Sequence, residues 1–442
     1  MMKAAFLTLG CKLNYAETST YTRDFAQRGW QIVSPREQAD LYVINTCSVT
    51  ATSDAKSRNL VRRVHRTAPS ARIVVTGCSA QLREEVFKAM EGVSLVIGCN
   101  DKALLVDRAV ALFAAEAPQQ ASSAAKPETC PQGPAEPETC PAGKPSAMPE
   151  GVFAAYSTGE RTRSFLKVQD GCNNFCAYCT VPYARGRSRN VPVCECVRAA
   201  KAIAAEGVKE IVLTGVNTGD FGRTTGESFL SLLKALHEVD GIERYRISSI
   251  EPNLLTDEII DWIATKGVKF QPHFHIPLQT GCDALLKTMG RHYDTAFFAS
   301  RLEYIRRAFA AAGRPQVFFG IDVMVGLPGE SPERFLETVD FIKSVRPAFI
   351  HVFPYSRRPG TRADLMPDQV NEAEKKRRVA VLEGLSTDFN DEFIKSNKGV
   401  TLEILFESRE KDGTMGGYTG NYIRVTRPYD ASLVGKIVEQ TL

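Results

Sequence analysis

The stretch that decides the fold is Arg163–Cys179, RSFLKVQDGCNNFCAYC. Its first half reads as a short strand, and three thiols, Cys172, Cys176 and Cys179, follow on one loop with the spacing C-x3-C-x2-C. Loops at the C-terminal ends of barrel strands are where α/β-barrel enzymes carry their chemistry. A cubane iron–sulfur cluster takes four ligands, usually thiolates. Three local cysteines leave one iron with an open position, which a reactive metal centre needs. The competing reading is a zinc knuckle or a structural cluster completed by a distant cysteine.

Downstream, five more strand candidates recur with helical stretches between them: EIVLTGV (210–216), RYRISSIE (244–251), HFHIPLQ (273–279), VFFGIDVMVG (317–326) and FIHVFPYS (349–356). Together with 163–170 they make six βα units, a partial (β/α)6 barrel, since eight units would need more chain. Upstream, KAAFLTLG, LYVINT, RIVVTG and SLVIG alternate with helical segments, which predicts a parallel-sheet α/β domain over residues 1–113. Residues 114–150 are rich in Ala, Pro, Ser and Gln and repeat KPETCP and EPETCP; they read as a linker or insertion, with Cys130 and Cys140 as exposed, non-ligand thiols. The barrel is expected over 151–382. Residues 383–442 carry short strands between Gly-rich turns, which predicts a small β-barrel.

Three upstream cysteines share one structural position. LTLG runs into Cys11, VINT into Cys47 and VVTG into Cys78. Strand C-termini of a parallel sheet lie on one edge, so these thiols are expected to converge. LVIG also runs into Cys99. Four thiolates close a cluster and three leave it open, and spacing does not choose between them.

Bulk properties narrow the class. The chain has 442 residues, 43% hydrophobic and 24% charged, with a net charge of +4. That charge is too small to argue for nucleic-acid binding by itself, so local clusters must carry the case. They include Lys56, Arg58, Arg62, Arg63 and Arg66; Arg185, Arg187 and Arg189; Arg357, Arg358 and Arg362; and Lys375 to Arg378. The groups flanking the expected catalytic edge are candidates for phosphate contact. No apolar run reaches a membrane span and no signal peptide is recognised, so a cytoplasmic protein without a membrane partner is expected. In that compartment twelve cysteines point to metal ligation or packing rather than disulfides.

The loop 172–179 resembles the radical SAM superfamily. TLGCKLNYAETS, VINTCSVT and TGCSAQ resemble the methylthiotransferases within it, and the resemblance covers nearly the whole chain apart from the Pro-rich insertion. It implies two [4Fe-4S] clusters, one on Cys172, Cys176 and Cys179 and one on Cys11, Cys47 and Cys78, with Cys99 a neighbour rather than a ligand. It implies S-adenosyl-L-methionine (SAM) chelated at the open iron and cleaved to a deoxyadenosyl radical. Tyr178, Gly215, Asn217 and Ser249 are the implied SAM-binding positions, with Glu251 and the segment Asp322–Glu330 nearby. The C-terminal region resembles a TRAM domain, an RNA-binding module, in which Tyr418 and Tyr422 would stack on RNA or pack as core aromatics. His273 and His275 share one face of a predicted strand, where packing or hydrogen bonding is the first expectation.

Among methylthiotransferases the motifs look most like the type acting on threonylcarbamoyladenosine beside the tRNA anticodon. The implied reaction removes hydrogen from C2 of that base and adds sulfur from the N-terminal cluster and methyl from a second SAM. The implied partners are tRNA and an electron donor such as flavodoxin or ferredoxin. The alternatives are the isopentenyladenosine enzyme and a non-catalytic iron–sulfur RNA-binding protein or redox sensor.

Overall fold

The computed structural model describes residues 1–114, 148, 151–159, 162–410 and 412–442. Cys130, Cys140 and the expected linker lie outside the described residues, apart from Ala114 and Met148. The first domain is a five-stranded, wholly parallel sheet of β1 (Lys3–Thr8), β2 (Gln31–Val33), β3 (Leu41–Thr46), β4 (Arg72–Gly77) and β5 (Val93–Ile97), in the order β2-β1-β3-β4-β5. β3 is buried along its whole length, as a strand covered on both faces must be. Val61, Val64 and Phe87 pack on one face, and Tyr21, Phe25 and Leu105 on the other.

A short β6 (Ala155–Tyr156) runs antiparallel to β7 (Arg163–Lys167), and a two-residue ribbon of β8 (Gln169–Asp170) and β9 (Arg189–Asn190) brackets the thiol loop. The barrel continues through β10 (Glu210–Thr214), β11 (Arg244–Ile247), β12 (His273–Gln279), β13 (Phe318–Val325) and β14 (Phe349–Pro354). β7, β10 and β11 form one parallel group and β12, β13 and β14 another. Backbone bonds from Gln271 N to Tyr245 O (2.9 Å) and from Ile250 N to His275 O (3.1 Å) join them. Six parallel strands in sequence order make the partial barrel the sequence predicts. Leu213, Ile247, Ile276, Ile321 and Val323, all nearly inaccessible, belong to its core.

The chain ends in a four-stranded antiparallel sheet, β17-β16-β15-β18, built from β15 (Thr401–Arg409), β16 (Thr414–Thr419), β17 (Arg424–Pro428) and β18 (Ile437–Thr441). This agrees with the small β-barrel expected. The sheet closes the end of the barrel opposite the thiol loop. Arg246 of β11 donates to the carbonyls of Thr419 and Gly420, both at 2.8 Å. Asn421, with no exposed surface, bonds Thr419, Asn397 and Gln316. Among the described residues no helix is long and apolar enough to cross a membrane.

Candidate functional site at the meeting of two thiol sets

Strand register brings the upstream thiols together. Thr46 pairs with Gly77 and Thr8 with Asn45, so Cys47 and Cys78 leave adjacent strands side by side and the Cys11 turn lies next to them. A Cβ placed on Gly10 (φ +101°) would sit 2.8 Å from Cys47 Sγ, and one on Gly77 (φ +100°) 2.3 Å from Thr46 O. Glycine is required at both turns by backbone conformation and by space. Cys11 caps the helix Lys12–Gln27 and Cys78 opens the helix Cys78–Leu82. Helix N-termini favour the thiolate that a metal needs. All ten cysteines among the described residues are free.

Cys78 is held near a pKa of about 6 by hydrogen bonding to Cys99, against the cost of burial, with Arg185 assisting. Burial instead raises Cys47. Cys99 is buried against Cys78, its own pKa pushed up by that same bond and by burial.

On the barrel side the loop folds tightly: Cys179 N donates to Cys176 O at 3.0 Å. Backbone N–H groups of Asn174 and Val181 point at the sulfurs of Cys172 (3.5 Å) and Cys179 (3.4 Å). Arg291 donates to Cys176 Sγ at 3.1 Å and to Glu251 at 2.9 Å, and Glu251 also accepts from Asn174 at 2.7 Å. Burial pushes Cys172 up to about 11 and Cys179 up to about 12. Donors aimed at sulfur, around thiols that burial would otherwise keep protonated, suit thiolates whose charge a metal compensates. Arg291 and Glu251 anchor the loop from elements far along the chain. Sequence reasoning placed Glu251 near SAM or substrate and missed Arg291.

Arg185 ties the segment after the barrel thiol loop to the upstream thiols. It ends the short helix that follows the thiol loop, and it donates to Cys78 Sγ (3.2 Å), Asn14 (2.6 Å), Glu17 (3.2 Å) and Asp170 (2.9 Å). Glu17, on the first helix, also accepts from Lys167 at 2.9 Å and pairs with Lys102. All five charged groups are buried. Burial opposes the charge on Glu17, but Lys102, Lys167 and Arg185 outweigh it and hold the carboxyl well below its usual range. Lys102, Lys167 and Arg185, with Arg189 at 3.9 Å from Asp170, face two carboxylates, Glu17 and Asp170, so the network holds excess positive charge beside Cys78.

The remaining implied positions fare differently. The backbone N–H groups of Val216 and Asn217 both donate to Gln169 at 2.9 Å, so this turn is satisfied internally. Asn217 keeps a buried side-chain oxygen without a partner. Gly215 sits where a Cβ would come 2.9 Å from Gln169 Oε1. Tyr178 packs beside Met289 and Leu327, with its hydroxyl 3.5 Å from Arg291. Ser249 bonds His275 at 3.0 Å, and His275 bonds Asp322 at 2.7 Å. His273 packs on Tyr422, ring centroids 4.5 Å apart. Tyr418 and Tyr422 stack on each other, and Arg163 and Arg246 lie over their rings, so they are interdomain packing aromatics.

The phosphate-contact expectation also divides. Arg185 and Arg358 are buried in ion pairs, Arg358 with Asp54, and Lys375 and Arg378 are buried too. Their charges are spent inside the protein. Lys56, Arg62, Arg63, Arg66, Arg187, Arg357 and Arg362 remain exposed.

A six-stranded partial barrel with a three-thiol loop after its first strand defines a class, and comparison agrees. Residues 166–342 match the radical SAM superfamily, and residues 3–98 match the uncharacterized protein family UPF0004. The backbone is similar to TsrM, a radical S-adenosylmethionine methyltransferase from Kitasatospora setae. The TM-score is 0.56 at 15% identity, covering 82% of this chain and 74% of that one, a likeness of fold alone. Two relatives are threonylcarbamoyladenosine tRNA methylthiotransferases. The Bacillus subtilis protein is 38% identical, covering 99% of this chain and 93% of its own. The Aquifex aeolicus protein is 34% identical, covering 99% of each. A tRNA-2-methylthio-N(6)-dimethylallyladenosine synthase from Nitratidesulfovibrio vulgaris is 30% identical, covering 98% of this chain and 93% of its own. The chain belongs to the radical SAM methylthiotransferases.

Proposed function

We propose that this protein methylthiolates C2 of N6-threonylcarbamoyladenosine in tRNA, with [4Fe-4S] clusters on Cys172, Cys176 and Cys179 and on Cys11, Cys47 and Cys78. The observation that carries the reading is that Arg185, on the helix that follows the barrel thiol loop, reaches the sulfur of Cys78 in the other thiol set at 3.2 Å. A single set suits SAM cleavage alone; two sets suit cleavage joined to sulfur insertion. Clusters held there, with SAM on the first and an electron from a donor such as flavodoxin or ferredoxin, supply radical hydrogen abstraction and sulfur transfer.

The chain's own residues do the rest. Arg291 and the N–H groups of Asn174 and Val181 hold the barrel sulfurs as acceptors. Arg185 holds the Cys78 sulfur toward the barrel. The substrate subtype is supported by the names of the relatives with the higher identities.

The test is nucleoside mass spectrometry of tRNA from a deletion strain, beside SAM-cleavage assays of the anaerobically reconstituted protein. Loss of 2-methylthio-N6-threonylcarbamoyladenosine supports the reading. Loss of the isopentenyl product instead overturns the substrate, and absence of 5′-deoxyadenosine overturns the enzyme.

A further inference from the structure

The interior of the barrel is polar where most barrel interiors are filled with branched aliphatic side chains. Ser249, His275, Asp322 and His351 form a connected group there. His275 bonds Ser249 and Asp322, and the His275 and His351 ring centroids lie 5.0 Å apart. One ligand-capable atom from each of His275, Asp322 and His351 lies within 4.8 Å of the others. Solvent reaches all three side chains, so the group faces an accessible recess.

Lys12 belongs to the same neighbourhood. It follows Cys11 directly and opens the first helix of the other domain. Its electrostatic neighbours are Arg163 of β7, Arg246 of β11, Asp322 of β13 and Cys11, and it acts in turn on His273 of β12 and His351 of β14. The two arginines are committed at the barrel floor, Arg246 to Glu210 and to two carbonyls, Arg163 to Glu407. No hydrogen bond or ion pair joins the Lys12 ammonium to another described residue. It is thus an exposed cation beside the N-terminal thiols.

Resting on the substrate reading above, we propose that Lys12 is the specificity-determining residue that pairs with the carboxylate of the threonylcarbamoyl group, with the Ser249–His275–Asp322–His351 group receiving its hydroxyl and urea N–H groups. The chemistry fits piece by piece. The N6 substituent carries one carboxylate, one hydroxyl and urea N–H donors; the recess offers one uncommitted ammonium, a carboxylate and two imidazoles. An isopentenyl group offers none of these and would leave the recess polar groups unmet, the situation in which a hydrogen-bonding site rejects an analogue strongly. The position of Lys12 beside Cys11 ties recognition of the substituent to the thiols from which sulfur is proposed to come.

The test uses anticodon stem-loop RNAs bearing threonylcarbamoyladenosine, its carboxylate methyl ester, or isopentenyladenosine. Binding by fluorescence anisotropy and methylthiolation are measured on anaerobically reconstituted wild type, Lys12→Gln and Lys12→Arg. Wild type should prefer the acid over the ester roughly 10- to 100-fold in Kd, the size of one charge-assisted hydrogen bond. Lys12→Gln should bring that ratio close to unity, and Lys12→Arg should restore most of it. A wild-type ratio near unity overturns the inference without any variant. An unchanged ratio in Lys12→Gln, or an equal loss on all three RNAs as a phosphate contact would give, overturns it as well. Wild type that modifies only the isopentenyl RNA overturns the substrate reading, and this inference with it.

Discussion

Replacing Glu17 by Gln should loosen the whole molecule, although the change removes only a charge. Glu17 has no exposed surface, and it joins Lys102 of its own domain to Lys167 and Arg185 of the barrel. Those three cations are themselves 1–2% exposed, so none can turn to water. In the variant they face Asp170 as the sole remaining carboxylate. Leaving a buried partner uncompensated costs about 3–5 kcal/mol. At roughly 2–4 °C per kcal/mol for a domain of this size, even a loss of about 3 kcal/mol lowers Tm by roughly 6–12 °C.

Scanning calorimetry at neutral pH reads this directly, with Asp107→Asn as the control. Asp107 pairs with Arg28 at 2.7 Å on an exposed surface, where an ion pair contributes little, so the control should melt within about 1 °C of wild type. The pH dependence has a defined sign. The folded pKa of Glu17 lies below its ordinary value of 4.5, so its contribution is complete above that value and is lost as pH falls through the folded pKa. The gap between wild type and variant should therefore narrow only in acid, below about 4.5. A Glu17→Gln protein that melts with wild type at neutral pH would refute the account of the interface.

Other consequences are more local. Cys176→Ala should abolish release of 5′-deoxyadenosine from SAM, whereas Cys47→Ala should spare that release and stop methylthio product, both followed by chromatography and mass spectrometry. Cys99→Ser should retain the iron content of wild type by colorimetric assay, because Cys99 is a neighbour of Cys78 and not a proposed ligand; loss of one cluster's iron would promote it to a ligand. Asn421→Ala should cost about 2–3 kcal/mol in chemical denaturation, since it strands buried partners on Thr419, Asn397 and Gln316.

What could be read in the sequence was whatever repeats or lies close together. The C-x3-C-x2-C loop is local, and the upstream thiols each follow a strand, so register brings them together once the sheet is parallel. What could not be read was pairing across long separations. Arg185 looked like one of three surface arginines, but Glu17, Asp170 and Cys78 claim it. Arg291 has no neighbour in sequence that points to Cys176. The tyrosines of GGYTGNYIRV could have faced RNA or the core; only the docking of the last sheet on Arg163 and Arg246 decides. One clue was available. Glu17 falls four residues after Leu13 and four before Tyr21, on the helix face that both bury, and a carboxylate on an apolar stripe demands partners.

A guanidinium shared by two domains ties their alignment to one buried ion-pair network. Parting them would take Glu17 away from Lys167 and Arg185, which would then share Asp170 alone, while Lys102 would keep Glu17. An N-terminal unit held this way gives up two buried ion pairs each time it leaves the barrel, which disfavours a swinging arm.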